Sequence, residues 1–231
     1  HASLATYKLF YEYDWEGSER AFRRAIALNP NYAFAHDQFG MLLAFVGRLE
    51  ESIAEGRRAI ALVPLSPQVL IDATMALLFQ RDFPAAREMA RRAGELDPAF
   101  FFPVMMEGWI ELEAGRYREA IPALARAAAM DAPPFVTAYL AFARGAAGDR
   151  AGALTELESL RRMAGGAPVL PFNLALVHLG LGERERAIDQ LELARAADSQ
   201  MLGWLGQDAI FDSLRTETRF IALLERLDLA R

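Results

Sequence analysis

Gly108-Trp109-Ile110-Glu111-Leu112-Glu113-Ala114-Gly115-Arg116-Tyr117-Arg118-Glu119-Ala120-Ile121-Pro122-Ala123-Leu124-Ala125-Arg126-Ala127 decides the fold. Two runs with helical apolar spacing flank one glycine, Gly115, and small residues stand at Gly108, Ala120 and Ala127. A glycine at a helix C-terminus permits the left-handed turn that closes it. Stepping outward from Gly115, the same slot recurs about every 34 residues, at Gly47, Arg81, Gly148 and Gly182. Pro30, Pro64 and Pro98 keep the same 34-residue beat, each just after an Ala-rich helical run that it cannot continue. A fixed period of this length predicts stacked helical hairpins, in which each unit packs on its neighbours and the array presents an extended curved surface.

Aligning glycines and prolines gives six repeats, approximately 1–32, 33–66, 67–100, 101–134, 135–167 and 168–201. In each, a first helix (A) ends at the glycine slot and a second (B) ends near the proline slot. Close packing of A on B, and of B on the next A, needs small residues at the crossings. They read Thr6, Ser18, Ala25; Gly40, Ser52, Ala59; Thr74, Ala86, Ala93; Gly108, Ala120, Ala127; Ala141, Ala153, Leu160; and Ala175, Ala187, Ala194. Leu160 is the exception, and the fifth repeat also lacks its proline, so altered packing is expected there.

These residues carry a resemblance. The chain resembles the tetratricopeptide repeat family over 1–201, best in Gly108, Gly115-Arg116-Tyr117, Glu119-Ala120-Ile121 and Ala127, and also in Trp15, Phe22-Arg23-Arg24-Ala25 and Leu28-Asn29-Pro30. The resemblance implies an all-α, right-handed superhelical solenoid of helix-turn-helix repeats, and a role in protein–protein interaction. The period breaks at 202–231, where Phe211, Leu214, Phe220, Leu223, Leu224 and Leu227 suit an amphipathic capping helix. Phe211-Asp212-Ser213-Leu214-Arg215, with Arg219-Phe220 and Leu223-Leu224, looks like the tail of tetratricopeptide arrays in bacterial signalling and regulatory proteins; Glu217-Thr218 departs from the Asp-Pro usual there. That likeness implies a cytoplasmic bacterial setting and an effector upstream. His1 falls inside the expected first A helix with no N-cap before it, as in a piece of a longer chain.

Composition narrows the chemistry. The 231 residues are 53% apolar, which is enough to fold, and carry a net charge of −6 with no long basic run, which disfavours nucleic acid. No apolar run nears the roughly 20 residues that span a bilayer. There is no cysteine, so thiol chemistry and disulfides are excluded. His1, His36 and His178 lie in different repeats with no Glu or His at ligand spacing, and no metal or other cofactor is expected. Gly165-Gly166 lacks a following Lys-Ser/Thr, and no nucleophile elbow or paired-carboxylate pocket is legible, so no catalytic residue is assigned and the region reads as non-enzymatic.

The inner face is the informative part. The A-helix positions expected to line the concave groove read Tyr7 and Phe10; Phe34, Asp37, Met41, Ala44; Gln68, Ile71, Met75, Leu78; Phe102, Met105, Trp109, Leu112; Phe135, Ala138, Phe142, Gly145; and Val169, Phe172, Leu176, Leu179. An apolar lining this long exceeds what a soluble monomer leaves open. The expected site is therefore a groove for an apolar peptide or helix, built from Tyr7, Phe34, Met41, Met75, Phe102, Met105, Trp109, Phe135, Phe142 and Phe172, with Trp109 at its centre. The competing readings are a structural array whose groove is filled by its own tail or by a second copy in a homodimer, and a sensor of a small hydrophobic ligand. The carboxylate clamp of some tetratricopeptide domains is disfavoured, since Ser3, Tyr7, Gln38 and Gln68 occupy its slots without positive charge.

Overall fold

The computed structural model describes residues 1–197 and 199–229. Asp198, within the expected sixth repeat, and Ala230 and Arg231, at the end of the expected capping segment, lie outside the described residues. Among the described residues every regular element is helical. The antiparallel pairs are α1 (Ala2–Tyr7, continued by a π turn Lys8–Glu12) with α2 (Trp15–Leu28), α3 (Ala33–Phe45) with α4 (Leu49–Leu62), and α5 (Pro67–Phe79) with α6 (Phe83–Leu96). They continue as α7 (Phe101–Glu113) with α8 (Tyr117–Ala128), α9 (Pro134–Ala146) with α10 (Arg150–Met163), and α11 (Pro171–Gly180) with α12 (Arg184–Ala196). The tail forms two 3-10 segments, Gln200–Gly206 and Ala209–Leu214, then α13 (Thr218–Arg226).

The glycine beat is a backbone requirement. Tyr13, Gly47, Arg81, Gly115, Gly148 and Gly182, one between the helices of each pair, all have φ between 53° and 90°. Side chains resist that region and glycine does not. The B helix starts shortly after. At Asp14, Asp82 and Asp149 the carboxylate accepts the N–H of Gly17 (2.8 Å), Ala85 (3.2 Å) and Gly152 (2.8 Å), satisfying an otherwise orphaned donor. Pro30, Pro64 and Pro98 each sit two residues past the last residue of α2, α4 and α6.

The small residues are buried at the crossings, with one shift of register. Ser52 Oγ donates to the Gly40 carbonyl at 2.6 Å, but its counterpart Ser18 donates to the Ala5 carbonyl (2.8 Å) and not to that of Thr6. The π turn Lys8–Glu12 inserts one extra residue, so everything upstream of it moves by one; Ala5 is fully buried and Thr6 is only half-buried.

The chain forms two compact units. The first comprises His1–Phe100, Gly203–Asp208 and 224–229; the second comprises Phe101–Leu202 and Ala209–Leu223. In the first, Arg48 ties α2 to α4 by reaching Glu19 (2.8 Å) and Glu51 (2.6 Å). In the second, Arg219 fastens α13 to α12 through Asp189 (2.8 Å) and Glu192 (2.7 Å). The fifth pair departs from the pattern where Leu160 replaces a small residue. There α11 packs on α9 and hardly on α10. Gly145 and Gly180 permit this: a Cβ on Gly145 would lie 2.6 Å from the Gly180 carbonyl carbon, so backbone meets backbone.

The tail is not one amphipathic helix. Phe211 and Leu214 lie in a 3-10 segment, Phe220, Leu223 and Leu224 in α13, and Leu227 beyond it. All six are buried as a cap requires, but in short pieces rather than along one helical face.

A cavity on the inner face of the first unit

The inner face of the first unit divides in two. At the C-terminal ends of its A helices the tail packs in. The Trp204 ring lies 4.2 Å from Phe45 and 5.8 Å from Phe79, centroid to centroid, and Gly203 presses on Phe45, where a Cβ would come within 2.9 Å of the ring. Trp15 Nε1 donates to the Leu227 carbonyl at 2.6 Å, drawing the last described turn of the tail into the same cluster.

Toward the N-terminal ends of α3 and α5 no described tail residue lines the face, and a cavity of about 650 Å³ remains. Phe10, Tyr32, Phe34, Met41, Val63 and Val69 wall it, and Asp37, Gln38, Gln68 and Asp72 supply its polar groups. That volume lies within the range of ordinary ligand sites, about 300–1,000 Å³. Gln38 Nε2 donates to Asp37 at 3.0 Å and Gln68 Nε2 to Asp72 at 2.8 Å. The two carboxyls, one on α3 and one on α5, line the same cavity. Shielding from water raises both, Asp37 being buried and Asp72 half-buried. The charge of Asp37 lifts Asp72 further, well above its ordinary value. A paired-carboxylate pocket was not legible in the sequence because its members come from different repeats.

The ten residues expected to form the groove are not brought together as one open surface. Tyr7 is 51% exposed and stacks on Tyr11, displaced by the π turn; Phe34 is 40% exposed and, with half-buried Met41, lines the cavity. In the second unit Phe102 and Phe135 are half-buried, with ring centroids 6.0 Å apart. Met75, Met105, Trp109, Phe142 and Phe172 are buried to 3% exposure or less. Trp109 packs on Tyr139 at 5.1 Å, Phe142 on Tyr117 at 5.7 Å, and Phe172 on the tail's Phe211 at 6.4 Å. These five are interior packing, because consecutive A helices and the tail close over them. Gly145, also expected to line the groove, is the close approach to Gly180.

The histidines His36 and His178 are structural anchors. Buried His36 lies 2.5 Å from Glu55 through Nδ1 and 2.9 Å from the Pro30 carbonyl through Nε2. His178 is 2.8 Å from Glu183, and that contact, with Arg150, holds the Glu183 carboxyl down at about 2. Among the described residues no group of three or more His, Cys, Asp or Glu is placed to hold a metal, and no helix is long and apolar enough to cross a membrane.

No family model and no curated protein matches the chain. Solved structures do. A tetratricopeptide repeat protein from Parabacteroides merdae ATCC 43184 superposes with a TM-score of 0.67 at 13% identity, covering 99% of this chain and 82% of its own. TTC0263, a thermophilic protein of the same repeat type from Thermus thermophilus, gives 0.59 at 18% identity, covering 77% and 91%. PilF of Pseudomonas aeruginosa gives 0.57 at 18% identity, covering 84% and 89%. The left-handed residue recurring between paired helices, the small residues at their crossings and these likenesses agree: the chain has the tetratricopeptide-repeat fold.

Proposed function

We propose that the chain is a non-catalytic protein-interaction scaffold that takes up a partner segment at the cavity between α3 and α5. The observation that carries this reading is the cavity itself: a concave, aromatic-walled opening on the inner face of a repeat array, left uncovered where the neighbouring half is closed by Trp204. Flexible Met41 and the rings of Phe10, Tyr32 and Phe34 suit a peptide side chain because they offer large contact area and repack readily. The reading in which the chain fills its own groove draws support where the tail packs in, Trp204 on Phe45 and Phe79 in the first unit and Phe211 on Phe172 in the second. Binding then belongs to the open half and stability to the closed half. A signalling role and a cytoplasmic bacterial setting rest on the tail resemblance alone, since burial of Phe211, Leu214, Phe220, Leu223 and Leu224 already explains those residues.

Peptide display on the immobilised chain tests the proposal. Enriched peptides are expected to lose binding to Phe34→Glu while its melting temperature stays within a few degrees of the parent, because the residue is 40% exposed and the new charge stays hydrated. Enrichment of nothing, or binding indifferent to Phe34→Glu, overturns it. A shift from dimer to monomer in that variant would assign the cavity to a second copy.

A further inference from the structure

The carboxyl pair inside the cavity differs from three partly shielded glutamates that each meet a cation. Glu19 meets Arg48 and Arg23, Glu55 meets His36 and Arg58, and Glu156 meets Arg144. Among the described residues Asp37, 7% exposed, meets only Gln38 and Asp72, and Asp72 only Gln68 and Asp37. No described lysine, arginine or histidine lines the cavity. Two amides are what the protein itself supplies to two carboxyls in a cavity walled largely by apolar groups. A buried acid without a counter-charge destabilises a fold, and replacing it by a neutral group is the ordinary remedy. Its presence beside rings that attract cations makes the site complementary to one kind of occupant.

We propose that the cavity receives a cationic side chain, lysine or arginine, of the partner segment, seated between Asp37 and Asp72 and against the rings of Phe10, Tyr32 and Phe34. This rests on the scaffold reading and specifies its partner. The arriving cation opposes the raised titration of the pair: any carboxylic O–H still present gives its proton to solvent, and two carboxylates then accept the ammonium or guanidinium N–H groups. Binding is therefore linked to proton release. The titratable groups that line the cavity with the pair are each other and the phenol of Tyr32. His36, also on α3, faces Glu55 and the Pro30 carbonyl.

The test uses two defined probes on the full chain, n-butylguanidinium and the uncharged n-hexanol, followed by the NMR signal of the Met41 methyl. The expected result is saturable binding of n-butylguanidinium that strengthens from about pH 6 to about pH 8, with n-hexanol at least about tenfold weaker at the higher pH. Asp37→Asn and Asp72→Asn should each weaken the guanidinium by about tenfold or more while raising the melting temperature of the free protein at about pH 8. Equal binding of the two probes, no binding of the cation, or a fall in melting temperature for both Asn variants would overturn the proposal; the last would make the pair a packing element. Loss of this result with Phe34-dependent peptides still enriched leaves the scaffold standing and removes only the cation. A cation that binds while no peptide is ever enriched assigns the cavity to a free small amine and removes the scaffold reading.

Discussion

The same two A-helix slots are filled oppositely in the two units. In the first unit they place Asp37 beside Gln38 on α3 and Ile71 beside Asp72 on α5; in the second they hold Met105-Met106 on α7 and Ala138-Tyr139 on α9. The second unit's four are fully buried, and Trp109 lies against Tyr139. The first unit's acids open onto a cavity instead. One repeat geometry thus accommodates either a packed interior or a cavity at these two positions.

The sharpest way to break this comparison is to put a charge into the closed side. Trp109→Glu should destabilise by about 4 kcal/mol or more, since it removes a packed indole and buries an unpaired carboxylate. Thermal unfolding measures it, and a stable variant would mean that the second unit's inner face is open too. Next in size is Trp204→Ala, expected to cost about 3 kcal/mol. Hydrogen exchange should then show deprotection centred on Gly203–Asp208 and the ends of α3 and α5. Deprotection spread evenly through the first unit would show that the cover and the helices unfold as one.

Smaller effects sharpen the contrast through pH. In the first unit the folded state holds its raised carboxyl protons where the unfolded chain has lost them, so stability falls as pH rises from the ordinary carboxylate range through the raised titration of the pair. In the second unit Glu183 is depressed to about 2; its contribution is complete above the ordinary glutamate range and is lost as pH falls through about 2. Asp72→Asn should weaken the first dependence, the burial of Asp37 remaining, and stabilise by about 1 kcal/mol at about pH 8, leaving the acid limb of the stability curve unchanged. The smallest expected change concerns the turns. All three of the second unit's left-handed positions between paired helices are glycine, but in the first Tyr13 and Arg81 take that conformation with side chains attached. Arg81→Gly should raise stability by under about 1 kcal/mol, relief of strain being partly offset by a looser unfolded chain and by loss of the guanidinium stack on Phe83.

What was legible follows from how local each constraint is. Gly47, Gly115, Gly148 and Gly182 report a backbone angle that each residue must adopt by itself, so the beat is visible in sequence. Tyr13 escaped because its slot holds an aromatic residue, and Ala5 because a π turn shifts its register, and an apolar pattern does not announce an inserted residue. The aromatic stripe was legible as apolar but not as covered: burial of Phe172 depends on Phe211, which lies outside the period. Asp37 is one position of a lining that reads as apolar, its partner Asp72 is the next repeat's residue one slot on, and only the packing of α3 on α5 sets the two together.

The cover over Phe45 and Phe79 is part of the same chain. A tethered segment acts at an effective concentration in roughly the millimolar range, whatever the concentration of the protein. Any outside molecule aiming for that half of the face must outcompete a rival that never diffuses away, and dilution will not help it. No described tail residue lines the cavity half, so under the proposed function even a weak partner meets no tethered rival there among the described residues.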